Sequence, residues 1–268
     1  MSKLKNVSKG YLNNLKKKRR LKPVITIITV VKNDNKKITR TIKSILNQNY
    51  KNVEYIVIDG GSTDGTLNKI NKYRDKIDII ITGKDKNLWD AMNKGIKLST
   101  GNIIGILNSG DYFYKNAFNI VTKYFKDNKI DFLFGSVKKK RVYSGFEPDK
   151  IHYRFNIYPA HSCGFFIKRA SQFKVGFYDT NFRYGSDYDF FYRMIVKKKL
   201  IGLPTQKKEV IGKFDVNGIS SKIPFYKSYY YEMIVRYKNK QNFLYLVGLY
   251  VIKFINKFIN ILNIRWKY

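Results

Sequence analysis

The chain opens its readable part with Pro23-Val24-Ile25-Thr26-Ile27-Ile28-Thr29-Val30-Val31, a nearly unbroken apolar, β-branched run. Such a run suits a strand buried on both faces of a parallel sheet. Lys32-Asn33-Asp34-Asn35 reads as a turn, and Ile38, Ile42, Ile45 and Leu46 then recur at helical spacing. The cycle repeats. Residues 53–58 form a second apolar run, closed by the polar, glycine-rich 59–66, and Leu67, Ile70 and Tyr73 begin another helix. A short third strand is expected over 77–81. A polar loop and a short helix follow across 84–95, then a fourth strand over 103–107, which stops abruptly at Asn108-Ser109-Gly110-Asp111. This β-α-β-α-β alternation predicts an α/β protein with a mostly parallel, Rossmann-like sheet flanked by helices. In such sheets ligands bind just beyond the carboxyl ends of the strands, which points to the 108–111 turn.

Beyond Asp111 the pattern loosens. A helix suits Ala117 to Phe125, strands suit 132–137, 141–143, 164–167 and 208–214, and Ser186-Asp187-Tyr188-Asp189 opens a helix with Asp187 at its N-terminal end, where a carboxylate is favoured. Three segments follow: a basic tail over 1–22, an α/β domain over 23–215, and a basic, aromatic helical extension over 216–268. In the extension, Phe243 to Ile252 is apolar but too short to span a bilayer. Lys253, Asn256, Lys257 and Asn260 then fall on one helical face, with Phe254, Ile255, Phe258, Ile259, Ile261 and Leu262 against them. That pattern predicts a helix lying in a membrane interface; a helix capping the domain is the other reading.

Composition sharpens the picture. Apolar residues make up 44% of the 268 residues, which excludes a disordered chain. Cys163 is the sole cysteine, so no internal disulfide forms. The net charge is +34 and is densest at the ends: residues 1–22 carry nine Lys/Arg and no acid, and 216–268 carry nine with only Glu232. No apolar run backs the basic N-terminus before Val24, so a signal peptide is not expected. An anionic membrane surface is the expected partner of this charge, beyond a general lysine bias, and no nucleic-acid-binding module is visible. The expected location is cytoplasmic, peripheral to the inner face of the cell membrane.

Four motifs come in a recognisable order: Thr29 to Asn33, Ile58-Asp59 to Thr66, Asp85 through Asp90 to Gly95, and Leu107-Asn108-Ser109-Gly110-Asp111, followed by the Asp-Tyr-Asp at 187–189. Over 23–215 the chain resembles the inverting family-two glycosyltransferases of GT-A fold, and most of all their bacterial surface-polysaccharide and lipopolysaccharide branch. The resemblance implies a nucleotide-sugar-dependent hexosyl/glycosyltransferase, with a UDP-sugar as donor and a glycan or lipid-linked glycan as acceptor. It implies a divalent metal, Mn²⁺ or Mg²⁺, at Asp111, since such ions take oxygen ligands and neutralise a diphosphate leaving group. By the same resemblance Thr29, Asn33, Asp59, Asp85, Asp90, Asn108 and Gly110 line the nucleotide and donor site, and Asp187 is the catalytic base. His161 and Asp189 fall on the acceptor side, Asp189 as rival base. Lys94 reads either as a phosphate partner or as a solvated helix lysine, and Trp89 as a sugar platform or core residue. The sequence departs from the family pattern at Gly60, Gly110 and Ser186, where acids are usual. Those departures leave a second reading, a catalytically silent GT-A-like scaffold that binds nucleotide or glycan at the membrane.

Overall fold

The computed structural model describes residues 23–126, 129–155, 157–216, 218 and 223–261, without the side chains of 260 and 261. The basic tail 1–22 and the terminal 262–268 lie outside the described residues.

Strands β1 (Ile25–Val31), β2 (Val53–Asp59), β3 (Ile79–Thr82), β4 (Ile103–Ile106), β6 (Phe132–Phe134), β9 (Phe165–Lys168) and β10 (Gly202–Pro204) form one sheet in the order β10-β6-β9-β4-β1-β2-β3. The pairs β3/β2, β2/β1, β1/β4 and β6/β10 are parallel, and β9 runs antiparallel to both neighbours. Strands β5 (Tyr112–Phe113), β7 (Ser136–Lys138), β8 (Val142–Tyr143) and β11 (Val210–Lys213) make a second small sheet, ordered β5-β11-β7-β8.

Every residue of β1 is buried, because both of its faces are covered. Ile25, Ile27 and Val31 pack with Ile38, Ile42 and Ile45 of α1 (Ile38–Leu46). Ile28 and Val30 pack on the other face with Met92 and Ile96 of α3 (Leu88–Leu98). Each such aliphatic side chain contributes about 1.5–3 kcal/mol by leaving water, so the run is continuous rather than alternating. Gly95 lets α3 approach the sheet: a Cβ there would lie 2.3 Å from Ile28 Cγ2.

The remaining helices are α2 (Thr66–Asn71), α4 (Ala117–Phe125), α5 (Arg169–Val175), α6 (Ser186–Tyr192), α7 (Phe225–Lys238) and α8 (Phe243–Ile261). Helix α6 passes into a π-turn at Arg193–Lys197. The apolar run at 243–252 and the mixed pattern after it form one continuous helix. Lys253 departs from the polar face that it shares with Asn256, Lys257 and Asn260 in the sequence pattern. It turns inward to pair with Glu232 of α7 at 2.5 Å and sits 4.9 Å from the Tyr250 ring, because Glu232 is buried and needs a counter-charge. No described helix is long and apolar enough to cross a membrane.

Candidate active site

The sequential order β3-β2-β1 turns back at β4, so the crevice beyond β1 and β4 is a topological switch point. The loops after β1, β2, β3 and β4 meet there. The Asn33 backbone N–H donates to Ser62 Oγ at 2.8 Å, and Asn33 Oδ1 accepts from Thr63 N–H at 2.9 Å. Asn35 reaches Asp64 in two further bonds. Asn33 adopts φ +51°, the left-handed conformation that asparagine tolerates among non-glycine residues.

Asp59 ends β2 fully buried. Its Oδ2 accepts from Ser62 N–H at 3.1 Å and from Thr82 Oγ1 at 2.7 Å, while Oδ1 has no partner. Glu54, five residues earlier on the same strand, is equally buried but saturated. Thr100 Oγ1 donates to its Oε1, and the Thr100 and Gly101 amides donate to its Oε2. An unpaired buried acceptor costs about 1–3 kcal/mol, so its persistence on one carboxylate and not the other needs a reason. Asn35 Oδ1 and Asn108 Oδ1, in the loops that follow β1 and β4, share this state, as do Ser186 Oγ at the start of α6 and, away from the strand ends, Asn239 Oδ1 after α7. Buried polar atoms of this kind suit a ligand that completes them.

The turn after β4 is held from α1. Thr41 Oγ1 accepts from Gly110 N–H at 3.1 Å and donates to Asp111 O at 2.8 Å, and Arg40 donates to Gly110 O at 2.9 Å. Asp111 is buried, and its Oδ1 accepts the backbone N–H of Asp215 at 2.6 Å. Burial pushes the Asp111 carboxyl up to about 7; the Asp215 charge adds to this, while hydrogen bonds from the Asp215 amide and the Ser162 hydroxyl oppose it. Asp215, just past β11, also pairs with Lys37. A Cβ on Gly110 would lie 2.9 Å from Asp215 Oδ2, and Gly110 has φ +98°. The space a side chain at 110 would enter is therefore held by a carboxylate from position 215, which the sequence reading missed because Asp215 belongs to no motif and meets Asp111 across 104 residues.

On the donor side, Lys94 of α3 pairs with Asp85 and, at 3.1 Å, with Asp90. The Asp90 carboxylate also accepts Lys86 N–H at 3.0 Å. A Cβ on Gly60 would stand 3.1 Å from Asp85 Oδ2, so a second acid at this position would require the Asp85 side chain to shift by a few tenths of an ångström. Two placements differ from the sequence reading. Thr29 is not at the strand end; it sits inside β1, fully buried, and accepts from the Tyr55 hydroxyl at 3.2 Å. Its side chain falls on the α1 side of the sheet, since side chains alternate along a strand.

Asp189 is the other. Arg193 pairs with its Oδ2 at 2.9 Å, and Asn239 at the end of α7 donates to its Oδ1 at 2.8 Å, so it braces α6. Asp187, two residues earlier and half-buried, points elsewhere, as helical geometry requires. Its Oδ2 accepts the Tyr158 hydroxyl at 3.1 Å, and it makes no ion pair among the described residues. The Tyr158 ring stacks on Phe134 at 5.0 Å, and burial pushes its hydroxyl pKa well up, so it remains a donor.

Beside it, His161 Nε2 lies 2.7 Å from Tyr178 OH. Burial lowers the His161 pKa against the opposing pull of Asp187, which favours the neutral ring. Trp89 is buried, tilted against His161 and Tyr178, so it walls the site. Asn93 of α3 exchanges two hydrogen bonds with the Tyr178 backbone, at 2.8 and 2.9 Å. Ser162, next to His161, accepts from Asn108 N–H at 2.8 Å and reaches Asp111. Residues 161 and 162 thus join the Asp111 turn to the Asp187 pocket. Tyr158, Tyr178 and Ser162 carried no signal in the sequence, being isolated residues of common types.

Fold and crevice together define a GT-A-type transferase, with an acidic turn at the strand ends and a separate carboxylate on a facing helix. The sequence profile of "Glycosyl transferase family 2" matches residues 26–191, well over half the chain, and the protein belongs to that family. An uncharacterized glycosyltransferase of Mycobacterium tuberculosis is 27% identical over 216 residues, covering 74% of this chain and 78% of its own. A UDP-Glc:alpha-D-GlcNAc-diphosphoundecaprenol beta-1,3-glucosyltransferase of Escherichia coli is 31% identical over 135 residues, 48% of this chain and 54% of its own, so the chain spans about half that enzyme. Among solved structures, Staphylococcus aureus TarS 1-349 in complex with UDP-GlcNAc has the same fold. Its TM-score is 0.66 at 16% identity, over 88% of this chain and 73% of its own. The mannosyltransferase PcManGT of Pyrobaculum calidifontis, in complex with GDP-Man and Mn²⁺, aligns at TM-score 0.59 and 16% identity, over 84% of this chain and 68% of its own.

Proposed function

We propose that this glycosyltransferase moves a sugar from a nucleotide-diphosphate donor, a UDP-sugar in the first place, to a hydroxyl of a glycan or lipid-linked glycan, with inversion at the anomeric carbon. The observation that carries the reading is the contrast at 187–189: one aspartate is locked in a buried ion pair and the other, Asp187, is aimed by Tyr158 without one. In that role Asp187 accepts the acceptor hydroxyl's proton as that oxygen attacks the anomeric carbon and the nucleoside diphosphate leaves from the opposite side. Tyr158 holds one carboxylate oxygen, which fixes the direction in which the other meets the acceptor. His161 keeps Tyr178 in place, and Trp89 keeps water away from the same wall.

On the donor side, Asp59 Oδ1 is the acceptor atom suited to a base N–H, and Asn108 Oδ1 and Asn35 Oδ1 suit polar groups of the sugar nucleotide. The donor set at 111 fits a divalent cation in chemistry: Asp111 and Asp215 are hard oxygen donors brought side by side, and Asp111 bears a burial penalty that a cation relieves. Among the described residues no group of three or more acidic, histidine or cysteine side chains could hold a metal alone, so donor phosphate oxygens would complete the sphere. When bound, Mg²⁺ or Mn²⁺ neutralises the leaving diphosphate as a Lewis acid. The comparisons support this reading by analogy: the E. coli relative is described as acting on a diphosphoundecaprenol-linked sugar with UDP-Glc, and two fold neighbours carry nucleotide sugars, one with Mn²⁺. Against a silent scaffold stands Asp215, which supplies a carboxylate beside the place where Gly110 lacks one.

The test is a panel of nucleotide sugars screened for thermal stabilisation with and without Mg²⁺ or Mn²⁺, followed by transfer assays with the stabilising donor. Metal-dependent stabilisation by one donor, then sugar transfer lost in Asp187→Asn, supports the reading. Stabilisation without any transfer by the wild type would favour the scaffold.

A further inference from the structure

The α7–α8 hairpin leaves an apolar face that neither helix needs for its own packing. On α8, Leu246, Tyr250 and Lys253 turn toward α7, while Leu244, Val251, Ile255 and Phe258 stand 79%, 51%, 52% and 53% exposed. These positions recur at intervals of three, four and seven, so they form a single stripe along the helix. Between the stripe and Met233 of α7 runs an open groove of about 660 Å³, lined by Met233, Val247, Val251, Phe254, Ile255 and Phe258 with no charged side chain. Patches of this kind on a folded protein mark an interaction surface.

The charge pattern selects the occupant. The only acid of residues 216–268 is Glu232, and it is buried between Arg236 and Lys253. Lys227 and Lys240 stand exposed at the N-terminal and C-terminal ends of α7, with tyrosines 226, 230, 237 and 245 exposed around them. The face therefore presents apolar side chains, aromatic rings with a polar tip, and positive charge alone. A second copy of a chain carrying +34 meets it with like charge, which opposes association. An anionic lipid bilayer offers both the apolar depth and the opposite charge. The described part of α8 is not apolar enough to cross a membrane, and its charged and apolar positions suit a helix lying along the interface.

We propose that the α7–α8 face seats the protein on an anionic bilayer, with the Leu244-Val251-Ile255-Phe258 stripe in the acyl boundary. The hairpin is not a loose tether. Arg236 is fully buried, donates to Ile151 O at 3.1 Å and lies 4.6 Å from the Tyr188 ring, and Asn239 holds Asp189. Tyr188 and Asp189, the residues that follow Asp187, are thus tied to α7, the helix on which the membrane-facing α8 packs. Seating fixes the direction in which the Asp187 pocket opens relative to the lipid surface, which suits a lipid-linked acceptor. This surface assignment goes beyond the catalytic reading and does not depend on it.

Co-sedimentation of the full chain with phosphatidylcholine vesicles, with and without phosphatidylglycerol, tests it. The wild type binds the anionic vesicles, and Val251→Asp combined with Ile255→Asp lowers the partition coefficient by at least about tenfold. Because both residues are exposed, the melting temperature of that variant stays at the wild-type value; a separate variant, Leu244→Asp with Phe258→Asp, gives the same loss if either substitution in the first pair perturbs folding. Undiminished vesicle binding by both variants overturns the proposal, as does equal binding of the wild type to neutral and anionic vesicles. A wild-type dimer in light scattering that the same substitutions dissolve, without vesicle binding, assigns the face to a second copy and also overturns it. None of these readouts needs a sugar donor, so failure here is separate from failure of the catalytic assignment.

Discussion

Across 104 residues of sequence, the backbone N–H of Asp215 donates to Asp111 Oδ1 at 2.6 Å. That bond brings a second carboxylate to the turn where the sequence offers only one. It makes a specific prediction about the apparently missing acid. Gly110→Asp, which restores the usual family residue, lowers metal-dependent donor binding rather than raising it. The new side chain must share space with Asp215 Oδ2 and hold φ +98°, at a cost of about 1–3 kcal/mol in stability. Asp215→Asn, by contrast, weakens metal-dependent donor binding by roughly tenfold while leaving the fold, as one charge-assisted contact of this size is worth about 1.5–3 kcal/mol. Isothermal titration with the preferred donor, with and without metal, checks both.

The raised carboxyl of Asp111 gives a pH signature. In the unfolded chain this group loses its proton near its ordinary value of 3.8, and in the fold only near 7. Between those values the native state holds the extra proton, so its contribution to stability falls as pH rises through the window and is constant above it. Asp111→Asn removes this dependence. The variant is more stable than the wild type at pH 8, by a few kcal/mol at most (on the order of 1.4 kcal/mol per pKa unit), and little different at pH 4. Calorimetry of the metal-free proteins at the two pH values measures it; the same difference at both would exclude a burial penalty at Asp111.

Asp189 and Tyr158 separate support from chemistry. Asp189→Ala leaves Arg193 partly buried without its partner and frees Asn239, so the protein loses about 3–5 kcal/mol of stability, read by denaturant titration. Tyr158→Phe keeps the ring stacked on Phe134 and edge-on to Phe191 and removes only the hydroxyl that hydrogen-bonds Asp187. Its stability changes by about 1 kcal/mol or less, since a single hydrogen bond is lost, while kcat falls by about tenfold with KM for donor unchanged.

How far the sequence carries the structure differs by region. The parallel half of the sheet was legible because β1, β2 and β4 are buried on both faces, which forces runs such as Ile25–Val31, and because the helices between them show clean periodicity. Strand ends near the motifs were legible for the same reason: a polar turn after such a run has one place to go. The strands expected over 132–137, 141–143, 164–167 and 208–214 are present as β6 to β9 and β11, but the antiparallel pairing of β9, the separate second sheet and the two-residue β5 were not legible, since strands of two to four residues carry too little pattern to set a partner.

Within the site, Asp59, Asp111 and Asp187 fall where a motif places them at the end of a regular element. Thr29 was misplaced because inclusion in a motif does not say which way a strand residue points; two positions from the strand end, it faces the α1 layer. Asp215, Tyr158 and Ser162 were invisible because their roles exist only through contacts made across 104, 29 and 54 residues. The inward pairing of Lys253 was not legible because helical periodicity cannot show that a buried Glu232 waits on the neighbouring helix.

The central claim is that Asp187 takes the acceptor proton, and it is tested most directly by the turnover of Asp187→Asn. With the preferred donor, metal and acceptor at saturation, release of nucleoside diphosphate coupled to sugar transfer falls by at least about a hundredfold. Donor binding, which the proposal assigns to Asp59 and the 108–111 turn, stays within about twofold of wild type, because the proposal puts Asp187 on the acceptor side. Full transfer activity in Asp187→Asn would contradict the account.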